Sequence, residues 1–145
     1  MANLKEATAK AVLGADTAVF LDGKVLGKPK DEADAARMLA ALSGRTHEVI
    51  TGVCISYPQP DGTRKIYIDS DCTKVRFQTL SKAQINAYVA TGSPMDKAGA
   101  YGIQDGGLVK EIEGSFSNVV GLPIELCKRL IEKATPQKDR AGMRL

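Results

Sequence analysis

The chain has 145 residues, of which 43% are hydrophobic and 26% charged, and these are the proportions of a soluble globular protein. Its 20 lysines and arginines against 17 aspartates and glutamates give a net charge of +3, and aromatic residues make up only 5%. A nucleic-acid-binding surface usually has a denser basic patch and aromatic side chains for stacking, so a nucleic acid polymer is not expected as a partner. The first residues, MANLKEATAKAV, resemble neither a secretory signal nor a membrane span, so the default expectation is a cytoplasmic protein without a membrane partner.

One domain is predicted for residues 1–145, because no repeat or break in composition divides them and a chain of this length can bury a sizeable core. The basic residues between positions 128 and 144 are interpreted as a solvated helix end and a frayed terminus. Residues 135–145 are therefore predicted to form a flexible tail.

The three cysteines are Cys54, Cys72 and Cys127, which are far apart and form no CxxC pair. This spacing predicts neither a disulfide framework nor a zinc site. Cys54 and Cys127 have apolar neighbours in the sequence and are expected to be small core residues.

The first elements are a short helix over residues 3–11 and an apolar strand over residues 12–21 that Asp16 interrupts. Asp16 could cap a turn or face solvent, or it could be held at a strand end inside a cleft, and we favour the cleft. Residues 22–23 are Asp-Gly, which predicts a hairpin turn into a short return strand at residues 24–26.

A helix is predicted over residues 31–42, with Asp31 as its N-terminal cap and Gly44 just beyond its end. The β-branched residues that follow predict a strand over residues 47–57. His47, at its start, is the chain's single histidine, and because the strand is apolar we interpret it as structural rather than catalytic.

Two further strands are predicted at residues 64–69 and 73–79, where apolar and polar residues alternate. Ser81 and Gln84 form a capping-box pattern, which opens a helix that ends before Gly92.

The last predicted elements are a strand at residues 108–112 and a helix with Pro123 at its first position. The apolar face of that helix is predicted to consist of Ile124, Cys127, Leu130 and Ile131. Strands and helices alternate loosely along the chain, which favours an α/β fold with a mixed sheet.

The segment that we expect to carry the function is residues 91–121, which hold seven of the 14 glycines. Polar residues such as Asp96, Lys97 and Gln104 lie between these glycines, together with apolar residues such as Tyr101. Glycine permits a close approach of the backbone to a ligand, and apolar residues indicate a packed loop. We therefore predict a binding loop here rather than a linker.

Five strings of the sequence occur in an order that resembles the Maf family of nucleoside triphosphate pyrophosphatases. They are GADT at 14–17, LGKP at 26–29, LSGRTHEVITGV at 42–53, DKAGAYGIQ at 96–104 and GSFSNVVGLP at 114–123. The resemblance extends from residue 14 to about residue 130, and DKAGAYGIQ is similar to the branch that acts on dTTP and UTP.

This resemblance implies a hydrolase acting on phosphoric anhydrides. The reaction would cleave dTTP, UTP and modified pyrimidine nucleotides between the α- and β-phosphates, giving a nucleoside monophosphate and pyrophosphate. The resemblance also implies a divalent cation, magnesium or manganese, and a mixed, twisted sheet with flanking helices, as in inosine-triphosphate pyrophosphatases. Members of the family often form homodimers, and the family is linked to removal of surplus nucleotides and to septum formation.

The resemblance also assigns roles to six residues. It makes Asp16 the proton acceptor, relates Thr17 and Gln104 to base selection, and makes Lys28 a phosphate-binding lysine. Asp96 and Lys97 fall on the family's DKAG string and are assigned to substrate binding. Asp16 and Asp96 are further assigned to the metal.

Chemistry argued from the residues alone agrees with these roles. Hydrolysis of a phosphoanhydride needs positive charge on the phosphates, a bridging metal and a carboxylate to orient water. Lys28 and Lys97 could supply the charge, and Asp16 and Asp96 are the acids nearest in the motifs. Lys28 could instead be a solvated loop lysine, and Asp96 and Lys97 could instead form a structural ion pair.

Two departures from the family pattern leave alternatives open. The serine and paired arginines that grip the triphosphate near the start of family members have no counterpart in this sequence, and Ser93 stands where the family usually has glutamate. One hypothesis is an enzyme shortened at its N-terminus. The alternatives are a natural short form that binds nucleotides with little catalysis, a regulatory or binding module, and an unrelated α/β interaction domain.

Overall fold

The computed structural model describes residues 10–135. Its strands and helices, in chain order, are β1 (Val12–Leu21), β2 (Lys24–Leu26), α1 (Glu32–Leu42), β3 (Thr46–Pro58), β4 (Arg64–Phe77), α2 (Lys82–Ala90), β5 (Val109–Glu113), α3 (Phe116–Val120) and α4 (Ile124–Ala134). Two short 3-10 turns, Ser93–Asp96 and Ala98–Ala100, lie between α2 and β5. In this part of the chain no helix is long and apolar enough to cross a membrane.

The five strands form one sheet in the order β2-β1-β3-β4-β5. The α/β class with flanking helices is confirmed. Every strand pairing within residues 10–135 is antiparallel, however, so the described sheet lacks the parallel pairs that a mixed sheet would have. Short connections that reverse the chain make hairpins of β1–β2 and β3–β4, whereas the longer connections that lead to β3 and β5 contain α1 and α2.

The two strands predicted at residues 64–69 and 73–79 are one strand, β4. Residues 70–72 continue the pairing with β3, in which Ser70 lies opposite Gly52 and Asp71 opposite Thr51. These polar residues interrupt the apolar pattern without interrupting the ladder, because backbone groups make the strand's hydrogen bonds whatever the side chains are.

The core lies on one face of the sheet, which we call the helix-covered face. Alternate residues of β3 are buried there, in line with the two-residue period of a strand. Near α1 and α2 the buried cluster includes Leu39, Val49 and Phe77, and near α4 a second cluster includes Val53 and Leu130. Both clusters therefore pack helices onto the same side of the sheet.

Local signals in the sequence account for the helix starts. Asp31 accepts a hydrogen bond from the backbone N–H of Asp34, and Ser81 forms the predicted capping box with Gln84. The hairpin turn at residues 22–23 is also confirmed, since both residues have positive φ angles of 53° and 76°.

The ends of the chain gave less accurate predictions. The helix predicted over residues 3–11 lies outside the described residues apart from its last two positions, which are not helical, and the predicted tail lies outside them apart from Thr135. In α4, Pro123 is the N-cap rather than the first helical residue. Ile124 and Ile131 are 43% and 44% exposed, so placing them on the buried face was wrong.

The three cysteines differ in burial. Cys127 is buried on the inner face of α4, Cys54 is half-buried on β3, and Cys72 is exposed on β4. The prediction that Cys127 is a core residue is therefore confirmed, while Cys54 is only partly enclosed. All three thiols are free.

Candidate functional site

A cleft of about 420 Å³ opens between β1, the loop after α2 and the C-terminal end of α3. It is lined by Asp16, Thr17, Val19, Lys28, Val49, Lys97, Ala98, Tyr101, Gly102, Ile103, Gln104, Val119, Val120 and Gly121. Its apolar floor and its few polar groups are typical of a small-molecule site.

Strand β1 brings Asp16 and Thr17 to this cleft. The hydroxyl of Thr17 lies 2.9 Å from that of Thr51 and donates to the carbonyl of Gly121 at 3.5 Å, so it lies on the helix-covered face. Consecutive strand residues project from opposite faces, and Asp16, which pairs with Gly52, therefore belongs to the other face. Asp16 has an exposed side chain and borders the cleft at its rim.

The loop after α2 folds back against β1 through Gly99. Its backbone N–H donates to the carbonyl of Gly27 at 3.1 Å, which holds the loop beside Lys28. Gly99 has a φ of 72°, and a Cβ at this position would lie 3.0 Å from a methyl carbon of Val19. Glycine is thus required by both conformation and space. This contact brings Lys28 and Lys97 to the same cleft, although they are far apart in sequence.

Lys97 is held by Ser93. Its ammonium donates to the backbone carbonyl of Ser93 at 2.8 Å and to the Ser93 hydroxyl at 3.0 Å. The nearest oxygen of Asp96 lies 3.8 Å away, and the Asp96 side chain is 86% exposed. The predicted Asp96–Lys97 pair is therefore a long, solvent-exposed contact, which contributes little to stability.

Tyr88 of α2 and Asp105 form hydrogen bonds that hold the loop after α2, and neither residue was predicted from the sequence to have a role. The Tyr88 hydroxyl donates to the Asp105 carboxylate at 2.5 Å and accepts the backbone N–H of Gly102 at 3.1 Å. The hydrogen bonds from Tyr88 and Ser93, and then the charge of Lys97, hold the pKa of Asp105 below its usual range. The sequence offers no signal for these bonds because their partners lie on separate elements.

Asn118 anchors the opposite wall of the cleft, and sequence reasoning assigned it no structural role. Its side chain is fully buried, and its amide nitrogen donates to the carbonyls of Val49 and Asp71 and to the hydroxyl of Thr73, at 2.9 to 3.1 Å. Its backbone carbonyl accepts from Thr51 at 3.3 Å. These bonds fix α3 on the sheet, and the cleft-lining residues that follow Asn118 are fixed with it.

Beneath the cleft, Tyr101 packs edge-on against His47 and Phe77, with ring centroids 5.3 and 4.7 Å apart. The Tyr101 hydroxyl lies 2.6 Å from Nε2 of His47, and Nδ1 of His47 has no partner among the described residues. Burial lowers the pKa of His47 to about 4 and raises that of Tyr101. His47 is therefore neutral at pH 7 and supports Tyr101 from below, in agreement with a structural histidine.

Within the described chain, the charged side chains that line the cleft are Lys28, Lys97 and Asp16. Two ammonium groups beside one carboxylate favour an anionic ligand such as a phosphate chain.

The donor set for a metal is small. No group of three or more His, Cys, Asp or Glu side chains within residues 10–135 is arranged to hold a metal ion. Magnesium in nucleotide sites is commonly bound by one or two carboxylates together with substrate phosphates. A single carboxylate, that of Asp16, is enough for this mode of binding. The described residues do not provide a metal site made of protein ligands alone.

The six residues predicted from the sequence separate into two groups. Asp16, Thr17, Lys28, Lys97 and Gln104 all line the cleft, and Gln104 is exposed at its mouth. Asp96 is not among the lining residues and points into solvent. The sequence thus predicted most of the polar groups of one cleft, while their chemical roles stay predictions.

Known proteins resemble this chain closely. A dTTP/UTP pyrophosphatase of Anaeromyxobacter sp. (strain Fw109-5) is 55% identical over 126 residues, which cover 85% of this chain and 61% of that protein. Proteins of the same name from Clostridium perfringens (strain 13 / Type A) and Aquifex aeolicus (strain VF5) are each 50% identical, over 83% and 78% of this chain. The alignments cover 62% and 58% of those two proteins, so the chain spans about 60% of the length of the curated relatives it matches.

The family described as Maf-like protein matches residues 1–134, which is most of the sequence. Since this match and the relatives agree, the chain belongs to the Maf-like protein family.

Proposed function

We propose that this protein is a nucleoside triphosphate pyrophosphatase that hydrolyses dTTP and UTP to the monophosphate and pyrophosphate with the help of a divalent cation. The observation that carries the proposal is the convergence of Asp16, Thr17, Lys28, Lys97 and Gln104 on one cleft. Relatives about 50% identical are named dTTP/UTP pyrophosphatases, which supports the choice of substrate. Nucleoside triphosphates are cytoplasmic metabolites, so we expect the protein to act in that compartment.

The phosphate chain would bind between Lys28 and Lys97. The two lysines come from opposite sides of the contact between Gly27 and Gly99, and a nucleotide triphosphate is anionic enough to need more than one cation. The Lys28 ammonium is a compact charge on a flexible stem and can follow the phosphate oxygens, whereas Lys97 is held in place by Ser93.

The base would lie against Thr17 and Gln104. A glutamine amide both donates and accepts, which suits the edge of a pyrimidine with its alternating N–H and carbonyl groups. The Thr17 hydroxyl already has Thr51 and the Gly121 carbonyl as neighbours, so its position is set before any ligand binds. The base would therefore meet one hydroxyl of fixed orientation, that of Thr17, and one exposed amide that can rotate, that of Gln104.

In the proposed reaction a water molecule attacks the α-phosphorus and the bond to the oxygen bridging the α- and β-phosphates breaks. The water's proton passes to a carboxylate oxygen of Asp16, the α-phosphate leaves as part of the monophosphate, and the β- and γ-phosphates leave as pyrophosphate. A divalent cation, with Asp16 as its protein ligand, would supply charge neutralisation on the phosphate oxygens when bound. Lys28 and Lys97 hold the pyrophosphate end and favour the charge that builds up on it.

Isotope labelling tests which bond breaks. Incubation with dTTP or UTP in water enriched in ¹⁸O, with magnesium or manganese, should give monophosphate that contains one ¹⁸O and pyrophosphate that contains none. Stepwise release of orthophosphate, or label in the pyrophosphate, would contradict the proposal. Binding of dTTP without any product would favour a nucleotide-binding module instead.

A further inference from the structure

We propose that Asp105 is a positioning residue that, through Ser93 and Tyr88, holds Lys97 at the cleft in the orientation needed to bind the phosphate chain. This inference deepens the proposed function and rests on it for the identity of the ligand. The side chains of Tyr88, Ser93, Lys97 and Asp105 form one connected series of hydrogen bonds. It joins α2 to the first 3-10 turn and to the loop that carries Asp105.

The direction of donation along this chain is consistent at each link. The Lys97 ammonium donates to the Ser93 hydroxyl at 3.0 Å, and that hydroxyl donates to Asp105 Oδ2 at 2.8 Å. From the other side, the Gly102 N–H donates to the Tyr88 hydroxyl at 3.1 Å, which donates to the same carboxylate oxygen at 2.5 Å. Both arms therefore end on the negative charge of Asp105, and hydrogen bonds arranged in this way strengthen one another.

The Ser93 hydroxyl separates the carboxylate from the ammonium. A lysine has three N–H donors, and Lys97 uses two of them on the carbonyl and hydroxyl of Ser93. Among the described residues its third donor has no hydrogen-bond partner, because Asp96 lies 3.8 Å away. Lys97 is thus oriented by a nearby negative charge without being fully neutralised, and one N–H stays available to an anion in the cleft.

Gly102 makes room for this arrangement. A Cβ at this position would lie 3.0 Å from Cε of Lys97 and 3.3 Å from Oδ2 of Asp105. A side chain at this position would require the lysine stem or the carboxylate to shift by a few tenths of an ångström. The packing around Gly102 therefore indicates, independently of the hydrogen bonds, that Lys97 and Asp105 are held close together.

The same bonds fix the loop that carries Gln104. Tyr88 holds both the backbone of Gly102 and the side chain of Asp105, which lie on either side of residues 103–104. The helix α2 is thereby connected to both ends of the short segment that forms the mouth of the cleft. Loss of the Asp105 carboxylate should loosen this segment as well as Lys97.

The test compares wild type with Asp105→Asn, Tyr88→Phe and Ser93→Ala. Calorimetry measures the affinity for inorganic pyrophosphate and for dTTP in the presence of calcium, and steady-state kinetics separates KM from kcat. A net hydrogen bond is worth about 0.5–1.5 kcal/mol, so we expect Asp105→Asn to weaken pyrophosphate binding and to lower kcat/KM, each by about three- to tenfold. Since Asp105 acts on Lys97 through the Ser93 hydroxyl, the double variant Ser93→Ala with Asp105→Asn should lose less affinity than the sum of the two single losses.

Wild-type pyrophosphate affinity in Asp105→Asn, with an unchanged melting temperature, would overturn the inference. So would losses that simply add in the double variant, since a merely structural role of Asp105 would not depend on the Ser93 hydroxyl. Pyrophosphate binding needs no turnover, so a wild type that binds pyrophosphate but cleaves no nucleotide contradicts the proposed function and not the positioning role. A folded wild type that binds neither ligand contradicts both.

Discussion

The hydroxyls of Thr17 and Thr51 lie 2.9 Å apart and join β1 to β3 directly behind the cleft. Thr51 is fully buried and donates to the backbone carbonyl of Asn118, while Thr17 is half-buried and reaches the carbonyl of Gly121. The pair therefore connects two sheet strands to the wall formed after α3. One of the two hydroxyls faces the cleft and the other does not.

This difference allows a matched comparison of Thr17→Val with Thr51→Val. Each change keeps the shape of the side chain and removes one member of the same contact, so each should lower the free energy of unfolding by about 1 kcal/mol. Only Thr17→Val removes a cleft hydroxyl, and it should also reduce the preference for pyrimidine over purine triphosphates. Competition binding with dTTP and dATP measures this preference, and an equal loss in both variants would contradict a role of Thr17 in base selection.

Asn118 should be the most costly polar residue to replace near the cleft. Asn118→Ala would remove the side-chain donor to the carbonyls of Val49 and Asp71, while the Thr73 hydroxyl would keep its bond from the Ser115 N–H. We expect the free energy of unfolding to fall by about 3 kcal/mol, because each buried unsatisfied group costs about 1–3 kcal/mol. Urea denaturation measures the loss. Asn86→Ala, at an exposed position of α2, is the control and should stay within about 0.5 kcal/mol of wild type.

The stability of the protein should depend on pH through His47. Its pKa is lowered from 6.5 to about 4 by burial, so between these values the unfolded chain binds a proton that the folded chain does not. Neutral His47 therefore makes its full contribution to the free energy of unfolding above pH 6.5. As the pH falls toward 4, protonation of the unfolded chain lowers this free energy by up to about 3 kcal/mol.

Since carboxylates titrate in the same range, the comparison is between wild type and His47→Gln, which removes the chain's single histidine. Urea denaturation at pH 7.5, 6, 5 and 4.5 should show a steeper loss of stability in wild type than in the variant. Parallel curves for the two proteins would mean that His47 does not titrate abnormally.

Much of the local structure could be predicted from the sequence because its causes are local. The cap at Asp31, the capping box at Ser81 and the turn at residues 22–23 each depend on residues within a few positions. Strand β4 was divided wrongly at residues 70–72 because its polar side chains there were interpreted as a break in pairing. Ile131 was misplaced because an apolar residue near the end of an amphipathic helix can be exposed at little cost.

The residues of the cleft could be predicted from the sequence, but the contacts that hold them could not. A family pattern names residues, so it identified Asp16, Lys97 and Gln104, but it does not describe how they are held. The bonds between Tyr88, Ser93 and Asp105 depend on how α2 packs against the loop, and no short sequence pattern encodes that packing. The exposure of Asp96 also follows from the conformation of the 3-10 turn that ends there.

The most direct test of the central claim measures pyrophosphate release from dTTP and UTP by this chain with magnesium or manganese. The same assay is applied to Asp16→Asn and to the control Asp69→Asn, which lies at an exposed position of β4. We predict that wild type and the control release pyrophosphate, and that Asp16→Asn is slower by about 10²–10⁴-fold while still binding nucleotide. A folded wild type that binds dTTP and releases no pyrophosphate, or an Asp16→Asn variant as active as wild type, would contradict the account.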